Sequence, residues 1–222
     1  IDCGQGFVEI AGVRINDHNV FDQLRFREVM AKSSDVGVVR VAQRLGRENF
    51  NGYVRRFGFG APTGVDLPGE TGGLLRPTPR WSALSLASLS FGQEIGVTAL
   101  QLASAVSAVA NGGELMRPTI VRRVEDREGN VIKSWHPVAV RRVLEPSTVT
   151  VVTSVLEGVV EGGTGRLAAV PGYRVAGKTG TAQKVDANGR YSMIDHVASF
   201  VGYVPASRPA LVILVSLDTP KG

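Results

Sequence analysis

The chain has 222 residues with 25 Lys and Arg against 20 Asp and Glu, a net charge of +5, and 43% hydrophobic residues. That balance excludes a disordered chain and leaves room for one domain with a sizeable core. No apolar run reaches the roughly 20 residues that a membrane-spanning helix needs.

Phe7 to Ile15 alternates loosely around Gly12, which predicts a strand or hairpin. Asp22 to Ala31 reads as a helix capped by Asp22. Lys32-Ser33-Ser34-Asp35 interrupts that pattern and offers cap residues, Asp35 among them, for a helix over 36–45. Gly46 ends it, and a short helix follows from Glu48 to Phe57. Residues 60–80 are rich in Pro and Gly and predict a long irregular segment, of a kind that often carries function. Thr98 to Ala110 is the clearest helix: Thr98 caps it, its interior is apolar nearly all round, and Asn111-Gly112-Gly113 stops it. Thr119 to Val124 and Val131 to Trp135 read as a hairpin, and Arg141 to Leu144 as a further short strand. Pro146 to Val160 reads as a helix with proline in its first turn. Arg174 to Lys184, Val197 to Val204 and Leu211 to Leu217 read as strands, with turn chemistry at Asp186 to Gly189. Central helices and a terminal run of strands predict an α+β fold, an antiparallel sheet flanked by helices.

Few chemical classes survive. The single Cys3 forms no internal disulfide, and His18, His136 and His196 lack metal-ligand spacing, so neither a metal nor a cofactor is expected. The lysines stand at 32, 133, 178, 184 and 221, leaving 20 scattered arginines. With aromatics at 6% and no recognition motif, nucleic acid is not an expected partner. The sharpest run is Ala176-Gly177-Lys178-Thr179-Gly180-Thr181-Ala182. On an edge strand it sets an ammonium and a hydroxyl beside a backbone free of bulk. An extended peptide could pair there, with its carboxylate on the lysine and an oxyanion on backbone N–H groups. Gly172 to Thr179 also fits the phosphate-loop pattern, but turn residues rather than a helix follow it, so nucleotide binding stays a rival only.

Several stretches in order resemble the transpeptidase domain of class B penicillin-binding proteins, in particular the division-type peptidoglycan D,D-transpeptidases. Lys178-Thr179-Gly180-Thr181 is similar to that family's third motif. Lys32-Ser33-Ser34-Asp35-Val36-Gly37 resembles the second, Ser-x-Asn. Phe91-Gly92-Gln93-Glu94, Val97 to Ala103 and Ala110 to Gly113 resemble the central helix region, and Pro68-Gly69-Glu70 and Phe200 to Pro205 fit as well.

The resemblance implies a serine β-lactamase-like fold and a serine nucleophile that forms an acyl-enzyme with a stem peptide. A second stem's amine then resolves it, and β-lactams trap the serine. It implies Ser33 in the proton relay and Lys178 supporting both that relay and the substrate carboxylate. Thr179 would bond the same carboxylate and Thr181 would lend its N–H to the oxyanion; Gly180, between them, is expected to line the substrate site too, where it adds no side-chain bulk. Expected partners are peptidoglycan stem peptides, β-lactam antibiotics and other cell-wall synthesis or division proteins. The implied location is the extracytoplasmic face of the bacterial inner membrane, with the anchor outside these residues.

Two departures stand out. None of the five lysines has a serine three positions before it, so no Ser-x-x-Lys is present. Because the chain opens at Ile1 without Met and ends at Gly222, 1–222 is expected to be a partial domain. It would lack the nucleophile motif and a C-terminal helix, and would be inactive alone. Asp35 also replaces the motif's Asn, and an ionised Asp only accepts hydrogen bonds. Pairing with a lysine would lower its pKa. The rival readings are a non-catalytic binding or scaffold module of the same fold, and a serine β-lactamase or β-lactam sensor.

Overall fold

The computed structural model describes residues 1–186 and 188–221, and of residue 193 the backbone alone. Its first layer is a hairpin, β1 (Phe7–Ile10) and β2 (Val13–Asn16), on the helices α1 (Phe26–Lys32) and α2 (Asp35–Leu45), with α3 (Arg47–Arg56) packed on α2. A short pair, β3 (Leu74–Leu75) and β4 (Ile95–Gly96), brackets the brief helix α4 (Ser85–Ser90). Then come α5 (Ala99–Ala110), β5 (Glu114–Met116), the hairpin β6 (Arg123–Glu125) and β7 (Val131–Ser134), and β8 (Ala139–Arg142), which pairs with β5. The long helix α6 (Pro146–Gly162) leads to three strands, β9 (Ala176–Val185), β10 (Tyr191–Val204) and β11 (Leu211–Asp218). They form an antiparallel sheet in the order β11-β10-β9, so β9 is one margin. The predicted α+β class is the observed one.

The core has two main parts. Cys3, Val8, Ile15, Val29, Val36 and Val39 tie the N-terminal hairpin to α1 and α2. Ala176 and Tyr203 of the sheet pack with Val109 of α5, against Val152 and Leu156 of α6. Helix α6 touches both α1 and β9, and so joins the two parts.

The structure revises several sequence expectations. The first helix starts at Phe26, and Asp22 does not cap it. Residues 22–24 are held instead by the chain's start: Cys3 N–H donates to Asp22 O (2.8 Å) and Leu24 N–H to Ile1 O (2.9 Å). Asp35 is the first residue of α2 rather than its cap. Ser34 is the cap, its Oγ accepting from Gly37 N–H. Residues 119–121 are not strand, because Asp66 captures the N–H groups of Ile120 and Val121. The short helix α4 and the first residues of β10 were not predicted. The turn predicted at Asp186 to Gly189 includes Ala187, which lies outside the described residues, as does Gly222.

Candidate active site

Two separate pieces of chain meet in a groove of about 690 Å³ beside β9. From one side comes the link between α1 and α2. Ser33 adopts the left-handed conformation (φ 55°, ψ 48°) and its N–H bonds Met30 O. That reversal ends α1 and turns the Ser33 hydroxyl outward. From the other side comes Lys178, on the β9 face that packs toward the helices. Its register partner is Val201. Lys178 Nζ donates to Ser33 Oγ at 2.9 Å, across 145 positions of sequence. It also reaches Thr179 O (3.0 Å) and Thr179 Oγ1 (3.3 Å).

The pattern that fitted a phosphate loop is strand from Ala176 onward, and no helix follows it, which removes the nucleotide reading. Gly177 is there for packing. A side chain at that position would collide with the Phe200 ring and with Val201 O.

Thr179 continues the groove. Its hydroxyl shares a hydrogen bond of 2.7 Å with Thr164 Oγ1. Thr164 sits just beyond α6, and its N–H donates to Ala31 O (3.0 Å) on α1. Gly163 permits this approach, because a side chain there would strike Ala31 O and Val159 O. Gly180 and Thr181 line the same groove and are exposed. Opposite β9 stand His18, Met30, Asp35, Val38, Ser90 and Phe91.

The electrostatics set this groove apart. The carboxyl of Asp35 is pushed up to about 6, by burial first and by the neighbouring Asp17 carboxylate second. His18 and Lys178 offset part of that rise. The net lowering expected from a nearby lysine does not occur: Lys178 does pull the Asp35 pKa down, but burial and Asp17 outweigh it, and no ion pair within 4 Å joins the two among the described residues. Burial lowers the Lys178 pKa below the ordinary lysine value, and Asp35 opposes this. Burial thus favours the neutral form of both groups, the kind of perturbation that marks side chains able to exchange protons in a reaction.

All the residues singled out from sequence, Ser33, Asp35, Lys178, Thr179, Gly180 and Thr181, line this one groove. Asp17, His18, Ser90, Phe91 and Thr164 were not singled out as site residues. For Thr164 a signal existed: Gly162-Gly163-Thr164-Gly165 allows both a helix stop and a close approach. No group of three or more His, Cys, Asp or Glu is arranged to hold a metal among the described residues. None of the described helices is long and apolar enough to cross a membrane.

Comparison with known proteins shows the family. The family model for the penicillin binding protein transpeptidase domain matches residues 5–222. Stage V sporulation protein D of Bacillus subtilis is 41% identical over 224 residues, covering 98% of this chain and 34% of that protein. Penicillin-binding protein PbpB of Mycolicibacterium smegmatis is 38% identical, covering 97% and 35%. The chain thus spans about a third of the length of these curated relatives. Among solved structures, penicillin binding protein 3 of Mycobacterium tuberculosis complexed with aztreonam superposes with a TM-score of 0.91 at 35% identity. That match covers 97% of this chain and 50% of the other. The transpeptidase domain of penicillin-binding protein 3 from Burkholderia pseudomallei gives 0.86 at 36% identity, covering 99% and 64%.

Proposed function

The chain belongs to the transpeptidase family of class B penicillin-binding proteins, and from that premise we propose that it is part of the catalytic domain of a bacterial peptidoglycan D,D-transpeptidase. The observation that carries the reading is the Lys178–Ser33 hydrogen bond in a groove along the margin of the sheet. An extended stem peptide would add to β9 as a further strand, as peptides do at open sheet edges. Its carboxylate would meet Lys178 and the Thr179 hydroxyl, and the Thr181 N–H would face the oxyanion of the tetrahedral intermediate.

The nucleophile would be a serine of a Ser-x-x-Lys motif, which these 222 residues do not contain. The serine hydroxyl would add to the penultimate D-Ala carbonyl, its proton leaving through the Lys178–Ser33 relay to the departing D-Ala amine. The amine of a second stem would then take the acyl group and release the serine. A β-lactam would follow the first half of this course and remain on the serine. The site residues need neither metal nor cofactor for these steps. We place the protein on the extracytoplasmic face of the inner membrane, among other cell-wall synthesis proteins, because its substrate lies there.

The test is labelling with fluorescent penicillin. A full-length polypeptide that contains this chain should form a covalent band, and the 222-residue chain alone should not. Lys178→Ala in the full-length protein should slow labelling at least about 100-fold, the scale of a lost proton-transfer group. A folded full-length protein that takes no label, or near-normal labelling of the Lys178→Ala variant, would overturn this assignment.

A further inference from the structure

Asp17 lies just beyond β2 and was not singled out by its sequence context. Its N–H donates to Gly6 O at 2.8 Å, which fixes it to the N-terminal hairpin. Its carboxylate makes two bonds into the start of α2. Oδ1 accepts from Val36 N–H at 3.0 Å, and Oδ2 accepts from the Ser34 hydroxyl at 2.7 Å. Ser34 is buried, and its Oγ accepts in turn from Gly37 N–H at 2.9 Å. Two free N–H groups of the first turn of α2 therefore end on one relay anchored at Asp17. Gly37 presses this turn against Val29 of α1, leaving no space for a side chain. Ser33 and Asp35 flank Ser34 on either side, so a shift of the Ser34 backbone moves both.

We propose that Asp17 is a positioning residue of this site, a carboxylate clamp that fixes the link between α1 and α2 so that the Ser33 hydroxyl meets Lys178. The proposal rests on the transpeptidase reading for its effect on acylation and on the hydrogen bonds for its geometry. Asp17 is absent from the groove lining, so it acts through Ser34 and Val36. It also acts through its charge. The charged and titratable groups facing Asp35 are Asp17 and His18 beyond β2 and Lys178 on β9. Of these, only Asp17 disfavours the ionised form of Asp35.

The experiment compares Asp17→Asn, Asp17→Ala and Ser34→Ala in the full-length protein by penicillin-labelling rate, thermal melting and NMR titration of a carbon-13-labelled Asp35 carboxyl. Small displacements of reacting groups can cost about 100-fold in rate. Asp17→Ala should label at least about 10-fold more slowly, through the rate at saturating penicillin rather than through apparent affinity. Asp17→Asn, which keeps one acceptor oxygen, should be partly rescued, and Ser34→Ala should lie between them. In Asp17→Asn the Asp35 titration midpoint should move to lower pH, because a like charge is gone. Normal labelling in folded Asp17→Ala, or an unmoved Asp35 midpoint in Asp17→Asn, overturns the proposal. If Asp17→Ala does not fold, the Asn variant decides by the same two readings. If the unmutated protein takes no penicillin, the transpeptidase reading fails, while the Asp35 titration still decides the role of Asp17.

Discussion

Ser33 occupies a region of backbone space that L-residues other than Asn and Asp seldom enter, at φ 55°. The left-handed conformation costs roughly 1–2 kcal/mol for a residue with a Cβ. Glycine would avoid that cost but gain entropy when unfolded, about 0.5–1 kcal/mol. Ser33→Gly should therefore raise the melting temperature slightly, by about 1–4 °C at the usual size scaling. It should also slow penicillin labelling of the full-length protein at least about 10-fold, because the acceptor for Lys178 is gone. A variant that is less stable, or labels normally, would show that the conformation carries no function. Asp35 gives a second prediction, with a defined sign. Its carboxyl rises from 3.8 to about 6 on folding. Between those values the folded state holds the proton more tightly, so folding takes up protons. The stability contributed by this group is present below about pH 4 and is lost as pH rises toward 6 and beyond. Asp35→Asn should remove that loss: above pH 7 it should melt higher than the unmutated protein, with the gap closing toward pH 4. The same variant restores an N–H donor and should label faster at pH 8. Equal melting curves at both pH values would refute the burial argument. Much of this residue-scale chemistry was legible in sequence, since Ser33, Asp35 and Lys178 stand in short recognisable runs. The direction of the Asp35 shift was not, because it depends on burial and on Asp17, which only the fold brings beside it.

At the scale of elements, α6 holds the site together. Its end touches α1 through Thr164 N–H to Ala31 O, and touches β9 through the Thr164–Thr179 hydroxyl pair. The hinge of both contacts is Gly163, packed against Ala31 O and Val159 O. A methyl group there has no space, and overpacking of this kind costs about 1–3 kcal/mol. Gly163→Ala should thus lower the melting temperature by about 2–10 °C. It should also weaken labelling beyond what the lost stability explains, because Thr179 loses its partner's position. Gly162→Ala is the control, since nothing lies near a side chain at that neighbouring position and its melting temperature should hardly change. Equal effects of the two substitutions would remove the steric argument. Helix existence was legible where caps and stops were strong, as at Thr98 and Asn111-Gly112-Gly113. It failed where tertiary bonds overrode local signals. Residues 22–24 have helical composition but are tied to Ile1 and Cys3, and Ile120 and Val121 have strand composition but are tied to Asp66. The six-residue α4 was too short to show a period.

At the scale of the molecule, the sheet is covered on one face and open on the other. The side of β9, β10 and β11 that carries Ala176, Tyr203 and Val212 packs on α5 and α6. The opposite side of β11 presents Leu211, Ile213, Val215 and Leu217, each 50 to 60% exposed. In register terms Val215 lies across from Phe200 and Phe200 from Thr179, so this apolar face continues toward the groove. The β11 sequence is apolar at nearly every position rather than at alternate ones, the pattern of a strand meant to be covered on both sides. That pattern was readable from sequence; which side would lack a cover depended on the packing of α5 and α6. Contiguous apolar surface in water drives association and dye binding. The isolated 222-residue chain should therefore bind a hydrophobic fluorescent dye, and its mass by light scattering should rise with concentration. Replacing Ile213 and Leu217 together by Lys should lower both signals. The fold should survive, because neither side chain faces the α5–α6 core. A full-length protein that covers this face should show neither signal before mutation. An isolated chain that stays monomeric and dark with the dye at high concentration would mean that the open face is shielded in a way its alternating exposure does not explain.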